Sequence, residues 1–274
     1  MTTSAHKSQK TAFITGASSG IGKAAALALA QAGYRVIGTS RRAKPGEMRD
    51  GIRMIACDVT DDASVAAAVT LAHAELGRID LLINNAGYAV SGAAEESSDE
   101  QVRALFDTNF LGVVRVTNAV LPIMRAQGVG RILTTGSVLG LIPGPFGAYC
   151  AASKHAIEGY SESLDHEVRP FGIRAAVIEP WATRTSIEAN SPQGDRPVAA
   201  YAQTLARYRT AFDVAMAAGD TPEDVAATIV AAAQDRSPRL RYPSDKAARQ
   251  TSFARRFLPR ALFDRTLRKQ FNIA

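Results

Sequence analysis

The chain has 274 residues, of which 46% are hydrophobic and 21% are charged, and its net charge is +6. This composition is typical of a globular protein, and the length suits one large α/β domain or two small ones. No apolar run reaches the roughly 18–20 residues that span a bilayer, residues 1–10 lack the apolar core of a secretory signal, and two cysteines give no disulfide framework. We therefore expect a cytoplasmic protein with a flexible N-terminus over residues 1–10.

Short apolar runs and longer helical patterns alternate along the chain. Strands are predicted at 11–15, 34–39, 52–56, 80–83, 131–135 and 173–178. Helices are predicted at 21–32, 61–76, 151–169, from a capping box at Ser98 and Gln101 to about 125, and after the N-cap Thr221. This alternation predicts a doubly wound parallel sheet with helices on both faces, in a single α/β domain over residues 11–274.

A glycine-rich turn, TGASSGIG at residues 15–22, lies between the first strand and the first helix. Glycines there permit a tight turn and let the backbone approach a pyrophosphate, while the helix N-terminus offers N–H groups to an anion. Glycine also serves plain turns, but this position favours dinucleotide binding. The predicted contacts are Gly16, Ser18, Ser19, Gly20, Ile21 and Gly22.

The end of the second strand indicates which dinucleotide binds. An NAD site usually carries Asp or Glu at this position to accept from the ribose 2′-hydroxyl, and that carboxylate would repel a 2′-phosphate. Here Ser40 takes the acidic position and is followed by Arg41 and Arg42, whose guanidinium groups suit a phosphate. Two solvated arginines in a polar loop are the alternative. The missing carboxylate favours NADP(H).

With its TGxxxGIG spacing, the chain resembles the short-chain dehydrogenase/reductase superfamily. Further landmarks of that family follow in the same order, namely Asp58, the NNAG turn 84–87, Asn109, Ser137, Lys154, Pro180 and Thr185. The resemblance implies a Rossmann-type fold. It also implies that the adenine side of the cofactor lies against Asp58, Val59, Asn85, Ala86 and Gly87, and the nicotinamide side near Pro180, Thr183 and Thr185.

The resemblance implies hydride transfer between a nicotinamide and a carbonyl or secondary alcohol. In such enzymes a tyrosine phenol exchanges the proton with the substrate oxygen, and a lysine, here Lys154, lowers the phenol pKa and holds the ribose. Ser137 would orient the substrate oxygen, and Asn109 would help to position a relay water. No metal site is predicted. Homo-oligomers built through the long helices are common in the family, and we expect one here.

The tyrosine position itself departs from the family pattern. The family places this residue thirteen positions after the serine and four before the lysine, and both counts lead to Cys150. Tyr149 lies one residue early, which at a helix start rotates the side chain by about 100° and shifts it by about 1.5 Å. The sequence therefore predicts an enzyme without its usual proton donor.

Three explanations stay open at this point. A substitution could leave a fold that binds cofactor but turns over poorly. A local backbone shift near Gly147 could let Tyr149 serve instead, because a helix start is weakly constrained. Cys150 could act itself, with a thiol pKa lowered by Lys154, although a small buried packing residue is the simpler interpretation. The rival function is a non-catalytic NADP(H)-binding sensor or partner-binding protein.

Residues 181–220 follow the sixth predicted strand, where a substrate cover could lie. Their apolar side chains suggest a small lipophilic carbonyl or alcohol as substrate, and they are Trp181, Ile187, Tyr201, Leu205, Tyr208 and Phe212.

The C-terminal part of the chain carries most of its positive charge. From residue 236 onward there are eleven Lys and Arg against Asp245 and Asp264. We predict a basic helical extension over residues 244–274 that turns its apolar side chains inward, namely Phe253, Phe257, Leu258, Leu262 and Phe263. Weak contact with an acidic surface, lipid or partner is the alternative. Nucleic-acid binding is not expected, because no reading motif accompanies the charge.

Overall fold

The computed structural model describes residues 9–185 and 191–273. Residues 1–8 of the predicted flexible N-terminus, and Ile187 of the predicted cover, lie outside this range. The described strands are β1 (Thr11–Ile14), β2 (Arg35–Ser40), β3 (Met48–Arg49), β4 (Ile52–Ala56), β5 (Leu81–Asn84), β6 (Gly130–Thr135), β7 (Ile173–Glu179) and β8 (Arg241–Pro243). They form one sheet in the order β3-β4-β2-β1-β5-β6-β7-β8.

All neighbouring strands are parallel except β3, which pairs antiparallel with β4 at one edge. The strand order reverses at β1, so the crevice beyond the carboxyl ends of β1 and β5 is the topological switch point of the sheet. The short strands β3 and β8 are additions that the apolar pattern did not predict, because two or three residues carry too little periodicity.

Helices cover both faces of the sheet. They are α1 (Gly20–Gln31), α2 (Asp62–Leu76), α3 (Asp99–Phe106), α4 (Gly112–Gln127), α5 (Ala148–Val168), α6 (Ala202–Ala217), α7 (Pro222–Gln234), α8 (Lys246–Phe257) and α9 (Arg260–Gln270). One apolar core lies between the sheet and α1 with α7, and a second lies between the sheet and α2, α4 and α5. The predicted doubly wound α/β fold is confirmed.

The long helix predicted from Ser98 is divided. A π-turn, Asp107–Leu111, separates α3 from α4. Ser98 Oγ accepts from Gln101 N at 3.2 Å, as an N-cap does, but the Gln101 side chain donates to Gln193 O at 2.8 Å instead of returning to Ser98. The predicted capping box is therefore only half present, because Ser98 N donates to Asp195 Oδ1 at 2.7 Å and not to the Gln101 side chain.

The second half of the cover segment is fastened to the loop that precedes α3. Asp195 accepts hydrogen bonds from Ser98 N and Oγ at 2.7 and 2.6 Å. Glu96 accepts from Val198 N at 2.9 Å through its carboxylate, and its carbonyl accepts from Arg196 N at 2.8 Å. The segment leads into α6, whose Leu205 and Tyr208 are buried.

The C-terminal extension is helical, but its apolar side chains do not all turn inward as predicted. Phe263 is buried, whereas Phe253, Phe257, Leu258 and Leu262 are 65, 62, 40 and 47% exposed. The buried residue of α8 is Ala248, and Phe253 and Phe257 lie about 140° and about 180° around the helix from it. Within the described residues, no helix is long and apolar enough to cross a membrane.

Candidate active site

The glycine-rich turn is held tightly at the carboxyl end of β1. Gly16 and Gly20 have φ of +67° and +52°, a conformation that favours glycine. A Cβ at Gly22 would lie 2.3 Å from Gly16 O and 2.4 Å from Asn85 Nδ2, closer than any side chain can approach. The first and last glycines of the turn therefore permit a backbone contact that no other residue allows.

Asn85 fastens this turn to the end of β5. Its Nδ2 donates to Thr15 O and Gly16 O at 3.2 and 3.1 Å. In return, Thr15 Oγ1 accepts from the backbone N–H groups of Asn85 and Ala86 at 2.9 and 3.1 Å. The strand ends on both sides of the switch point are thus joined, which fixes the floor of the crevice.

The N-terminus of α1 begins at this crevice, directly after the glycine-rich turn. The side chain of its N-cap residue, Ser19, makes no capping hydrogen bond, and the first turn contains no acidic residue. The methyl group of Thr185 would lie 3.4 Å from a Cβ at Gly20, so the segment after β7 reaches over the turn. These residues suit a diphosphate, which the helix dipole and free N–H groups attract.

Asp58 follows β4, at the same carboxyl edge of the sheet. Its Oδ1 accepts from Thr60 N and Oγ1 at 3.0 and 2.7 Å. These hydrogen bonds lower the pKa of Asp58, and the charge of Arg41 contributes in the same direction. The neighbouring Val59 is buried and packs closely against Gly112 of α4.

Ser40 and the two arginines shape the loop after β2. Ser40 Oγ accepts from Arg42 N at 3.3 Å, so the hydroxyl stabilises the turn locally. The Arg41 and Arg42 side chains are exposed, and neither forms an ion pair with any residue in the described ranges. Two unpaired guanidinium groups therefore stand at the strand end where sequence analysis expected a 2′-phosphate.

Asn109 lies in the π-turn and is buried. Its Oδ1 accepts from Tyr88 N at 3.0 Å, and its Nδ2 donates to Tyr88 O at 2.9 Å. Nδ2 also lies 3.4 Å from Ser153 Oγ in α5. Asn109 therefore fixes the backbone after Gly87 and links it to α5. Its contact with a relay water stays a prediction.

Ser137 lies directly beyond β6. Its Oγ accepts from Leu139 N at 3.1 Å and lies 3.5 Å from Pro180 O. Pro180 O also accepts from Val138 N at 3.0 Å. Ser137 and Pro180 are therefore neighbours across the ends of β6 and β7, although the sequence separates them by forty-three residues.

Lys154 reaches the same strand end from α5. Its Nζ donates to Thr135 O at 2.7 Å, two residues before Ser137. Desolvation lowers the pKa of Lys154 to about 8, against smaller opposing effects of Cys150 and Glu158. The ammonium group thus loses its proton more easily than a surface lysine, which suits a group that moves protons near neutral pH.

Cys150 lies one helical turn before Lys154 on the same face of α5. Because α5 begins at Ala148, three residues earlier than predicted, Cys150 belongs to its first turn. The buried Sγ accepts from Val90 N at 3.2 Å and donates to Val90 O at 3.3 Å. Burial raises the pKa of the Cys150 thiol, although Lys154 and the Val90 hydrogen bond oppose this shift. The expectation of a lowered thiol pKa is wrong, because desolvation outweighs the nearby cation.

Tyr149 points to a different neighbour. Its hydroxyl donates to Ala94 O at 2.9 Å, in the loop between β5 and α3. The structure therefore brings Ser137, Lys154, Cys150 and Asn109 to one region and engages the Tyr149 hydroxyl elsewhere.

Sequence analysis missed a buried acidic pair behind Lys154. Glu158 lies one turn further along α5, and Glu179 ends β7. Arg241 Nε lies 2.9 Å from Glu158 Oε2 and 3.5 Å from Glu179 Oε1. Burial and the charge of Glu158 raise the pKa of Glu179 to about 7. A glutamate at the end of an apolar strand was the available signal.

Comparison with known proteins gives a consistent result. A family model described as short chain dehydrogenase matches residues 10–196. The chain is 44% identical over 178 residues to a 3-ketodihydrosphingosine reductase of Bacteroides thetaiotaomicron, a match that covers 65% of this chain and 65% of that protein. It is 36% identical over 253 residues to human 17-beta-hydroxysteroid dehydrogenase type 1, covering 84% of this chain and 76% of that protein.

The fold agrees with solved structures as well. A short-chain dehydrogenase from Streptomyces avermitilis superposes with a TM-score of 0.80 at 31% identity, covering 97% of this chain and 100% of the other.

Proposed function

The chain belongs to the short-chain dehydrogenase/reductase family of oxidoreductases, which use a nicotinamide cofactor, and from this premise we propose that it is an NADP(H)-dependent enzyme. Its substrate would be a carbonyl or secondary alcohol with an apolar body, and its turnover would be slow because Cys150 occupies the position of the proton donor. The observation that carries this proposal is the meeting of Ser137 and Lys154 at the end of β6, beside the glycine-rich turn.

Residues of the turn and of two strand ends would hold the dinucleotide. The close contact between Gly22 and Gly16, and the helix N-terminus that the Ser19 side chain does not cap, support binding of the diphosphate. The lowered pKa keeps Asp58 ionised, which supports a role as a hydrogen-bond acceptor on the adenine side. Arg41 and Arg42 support NADP(H), because a carboxylate is absent from the end of β2 and both guanidinium groups are unpaired among the described residues.

When bound, the cofactor supplies the hydride. The chain contributes Lys154, whose lowered pKa and hydrogen bond to Thr135 O support a role beside the ribose and in proton movement. Ser137 would orient the substrate oxygen, since its hydroxyl lies beside Pro180 O at the mouth of the crevice. Asn109 would hold the π-turn and the loop after Gly87 in place.

The proton donor is the weak member of the set. The Cys150 thiol is hydrogen-bonded to the backbone of Val90, and its pKa is raised. It therefore stays protonated at neutral pH, with its hydrogen engaged by Val90 O. A cysteine is also several ångströms shorter than a tyrosine. The hydroxyl of Tyr149 bonds to Ala94 O and would have to leave this partner to serve. Both features support a substituted, slow enzyme over a shifted donor.

An apolar cluster supports the substrate class. It joins Val138 and Ile142, next to Ser137, with Leu205 and Tyr208 of α6, and Trp181 packs against it. Two similar proteins are named for 3-ketodihydrosphingosine and for a 17-beta-hydroxysteroid. A lipophilic ketone or alcohol would suit the same environment.

The cofactor half of the proposal is tested by titration of nicotinamide fluorescence. We expect NADPH to bind at least ~10-fold more tightly than NADH, because a charge-assisted phosphate contact is lost with NADH. Arg41→Asp should shrink or reverse this ratio. Arg35→Asp, at the opposite end of β2, is the matched control and should leave it unchanged. Equal affinities in the unmodified protein would contradict the NADP(H) assignment.

The catalytic half is tested by NADPH oxidation over a panel of aliphatic, aromatic and steroid ketones. Slow but cofactor-dependent reduction that favours the larger apolar ketones is expected. Tight NADPH binding with no turnover on any ketone, even after a tyrosine is restored at position 150, would favour the non-catalytic sensor.

A further inference from the structure

Four apolar side chains form an exposed patch on the last two helices. Phe253, Phe257, Leu258 and Leu262, here called the α8–α9 patch, are all 40% exposed or more. They account for four of the ten exposed large apolar side chains that the described residues contain. The Phe253 and Phe257 ring centroids lie 4.5 Å apart, so the two rings form one surface. Single exposed apolar residues are ordinary, but a cluster indicates a binding surface.

Positive charge surrounds this patch. Between positions 246 and 270 there are eight exposed Lys and Arg, against the single acid Asp264, and the eight are Lys246, Arg249, Arg255, Arg256, Arg260, Arg265, Arg268 and Lys269. None of them forms an ion pair with another described residue. The Arg256 guanidinium lies 5.7 Å from the Phe257 ring centroid, at the edge of the patch. Apolar and cationic groups are therefore presented together.

We propose that the α8–α9 patch docks on the surface of an anionic lipid bilayer. The phenylalanines and leucines would enter the interface, and the flanking arginines would meet the headgroup phosphates. Amphipathic helices with aromatic residues on one face, basic residues on the other and low overall hydrophobicity bind membranes in this way.

A second copy of the chain is a poorer occupant. A symmetric contact through the patch would bring the cations beside it, Arg256 among them, close to the same cations of the other copy, and like charges across an interface are costly. An anionic bilayer provides apolar volume and complementary charge together. It also needs no groove of matching shape.

Co-sedimentation with vesicles tests the proposal on the whole, cofactor-free protein. We expect binding to phosphatidylcholine vesicles that contain phosphatidylserine to be at least ~10-fold stronger than binding to pure phosphatidylcholine, and to weaken in high salt. Absence of binding to the anionic vesicles, or equal binding to both kinds, would overturn the proposal.

Paired variants locate the surface. The double variant Phe253→Ser with Phe257→Ser should weaken binding at least ~10-fold. Phe171→Ser should leave it unchanged, because Phe171 is also exposed and also lies beside an arginine, Arg125, at 5.8 Å, but outside the patch. Arg256→Glu should weaken binding more than Arg103→Glu, which removes an exposed charge from α3.

Two further measurements separate other outcomes. Circular dichroism melting should show that the variants keep the fold. Equal losses for the double variant and Phe171→Ser would overturn the assignment to the patch. A fall in solution mass of the double variant, without vesicle binding by the unmodified chain, would show that a second copy covers the patch instead.

Discussion

The glycine-rich turn and the first turn of α5 lie at the same crevice, but they differ in how closely their residues are packed. In the turn, neighbouring atoms leave no room for a Cβ at Gly16 or Gly22. The Asn85 side chain donates hydrogen bonds to the carbonyl oxygens of Thr15 and Gly16. In α5, Lys154 donates to Thr135 O as a residue of the site. Cys150, at the position of the family tyrosine, has a short side chain that is hydrogen-bonded to Val90. Under the proposed function, the contrast predicts that cofactor binding and proton transfer are separable, and that only proton transfer is slowed.

Restoring the missing side chain should give the largest change. Cys150→Tyr should raise the rate of ketone reduction by about 10²–10⁴-fold, the usual contribution of general acid catalysis. The affinity for NADPH should stay nearly constant, because the turn is untouched. Steady-state kinetics beside a cofactor titration would measure both quantities. A large change in NADPH affinity would show that the two regions are coupled.

Tyr149→Phe is the control for this experiment. Because the Tyr149 hydroxyl bonds to Ala94 O, its loss should change the rate less than ~3-fold, as expected for a residue outside the chemistry. A fast unmodified enzyme that Tyr149→Phe inactivates would instead establish Tyr149 as the donor.

A glycine-to-alanine substitution should be destabilising in the glycine-rich turn and tolerated in α5. Gly22→Ala places a methyl group 2.3 Å from Gly16 O. It should weaken cofactor binding at least ~100-fold and reduce the free energy of unfolding by about 1–3 kcal/mol, as overpacking does. In α5, a Cβ at Gly159 meets no atom within 4 Å, so Gly159→Ala should stabilise the fold by about 0.5–1 kcal/mol. Urea unfolding of both variants measures the difference, and equal effects would contradict it.

The acidic pair behind Lys154 predicts a pH dependence of stability. The pKa of Glu179 is about 7 in the fold against 4.5 as its ordinary value, so its contribution is fully present below pH 4.5 and is lost as the pH rises through 7. Glu179 faces Glu158 on α5 and Arg241 on β8. At about 1.4 kcal/mol per pKa unit, the loss is at most about 3.5 kcal/mol.

Glu179→Gln mimics the protonated acid and should flatten this dependence, so that the variant is the more stable protein at pH 8. Glu162→Gln removes an exposed partner of Arg241 and should leave the slope unchanged. The measurement is urea unfolding at pH 5 and pH 8. A slope that survives Glu179→Gln would exclude Glu179 as its source.

The sequence was informative where a local pattern decides the structure. Apolar runs predicted the six main strands within one or two residues, and the glycine spacing predicted the phosphate turn, because both follow from backbone geometry at neighbouring positions. The spacing of Ser137 and Lys154 indicated a shared site, and the structure places both at the end of β6.

Features that depend on distant partners were not accessible in this way. The capping box at Ser98 was incomplete because Asp195 accepts the hydrogen bond from Ser98 N. The amphipathic pattern of α8 did not show which face meets the core, and the thiol pKa depended on burial by Val90 and its neighbours. Each of these features depends on which of several possible contacts forms in the folded chain, and the local sequence pattern does not show this.

The π-turn at Asp107–Leu111 makes the site sensitive to the number of residues between α3 and α4. It adds one residue to a helical stretch that would otherwise run smoothly from α3 into α4. Removing one residue there would let the hydrogen-bond ladder close as a regular α-helix, and the side chains within the segment would change direction. Asn109 could then no longer meet Tyr88 and Ser153 together. A single deletion in this segment should therefore be as damaging as the loss of the asparagine.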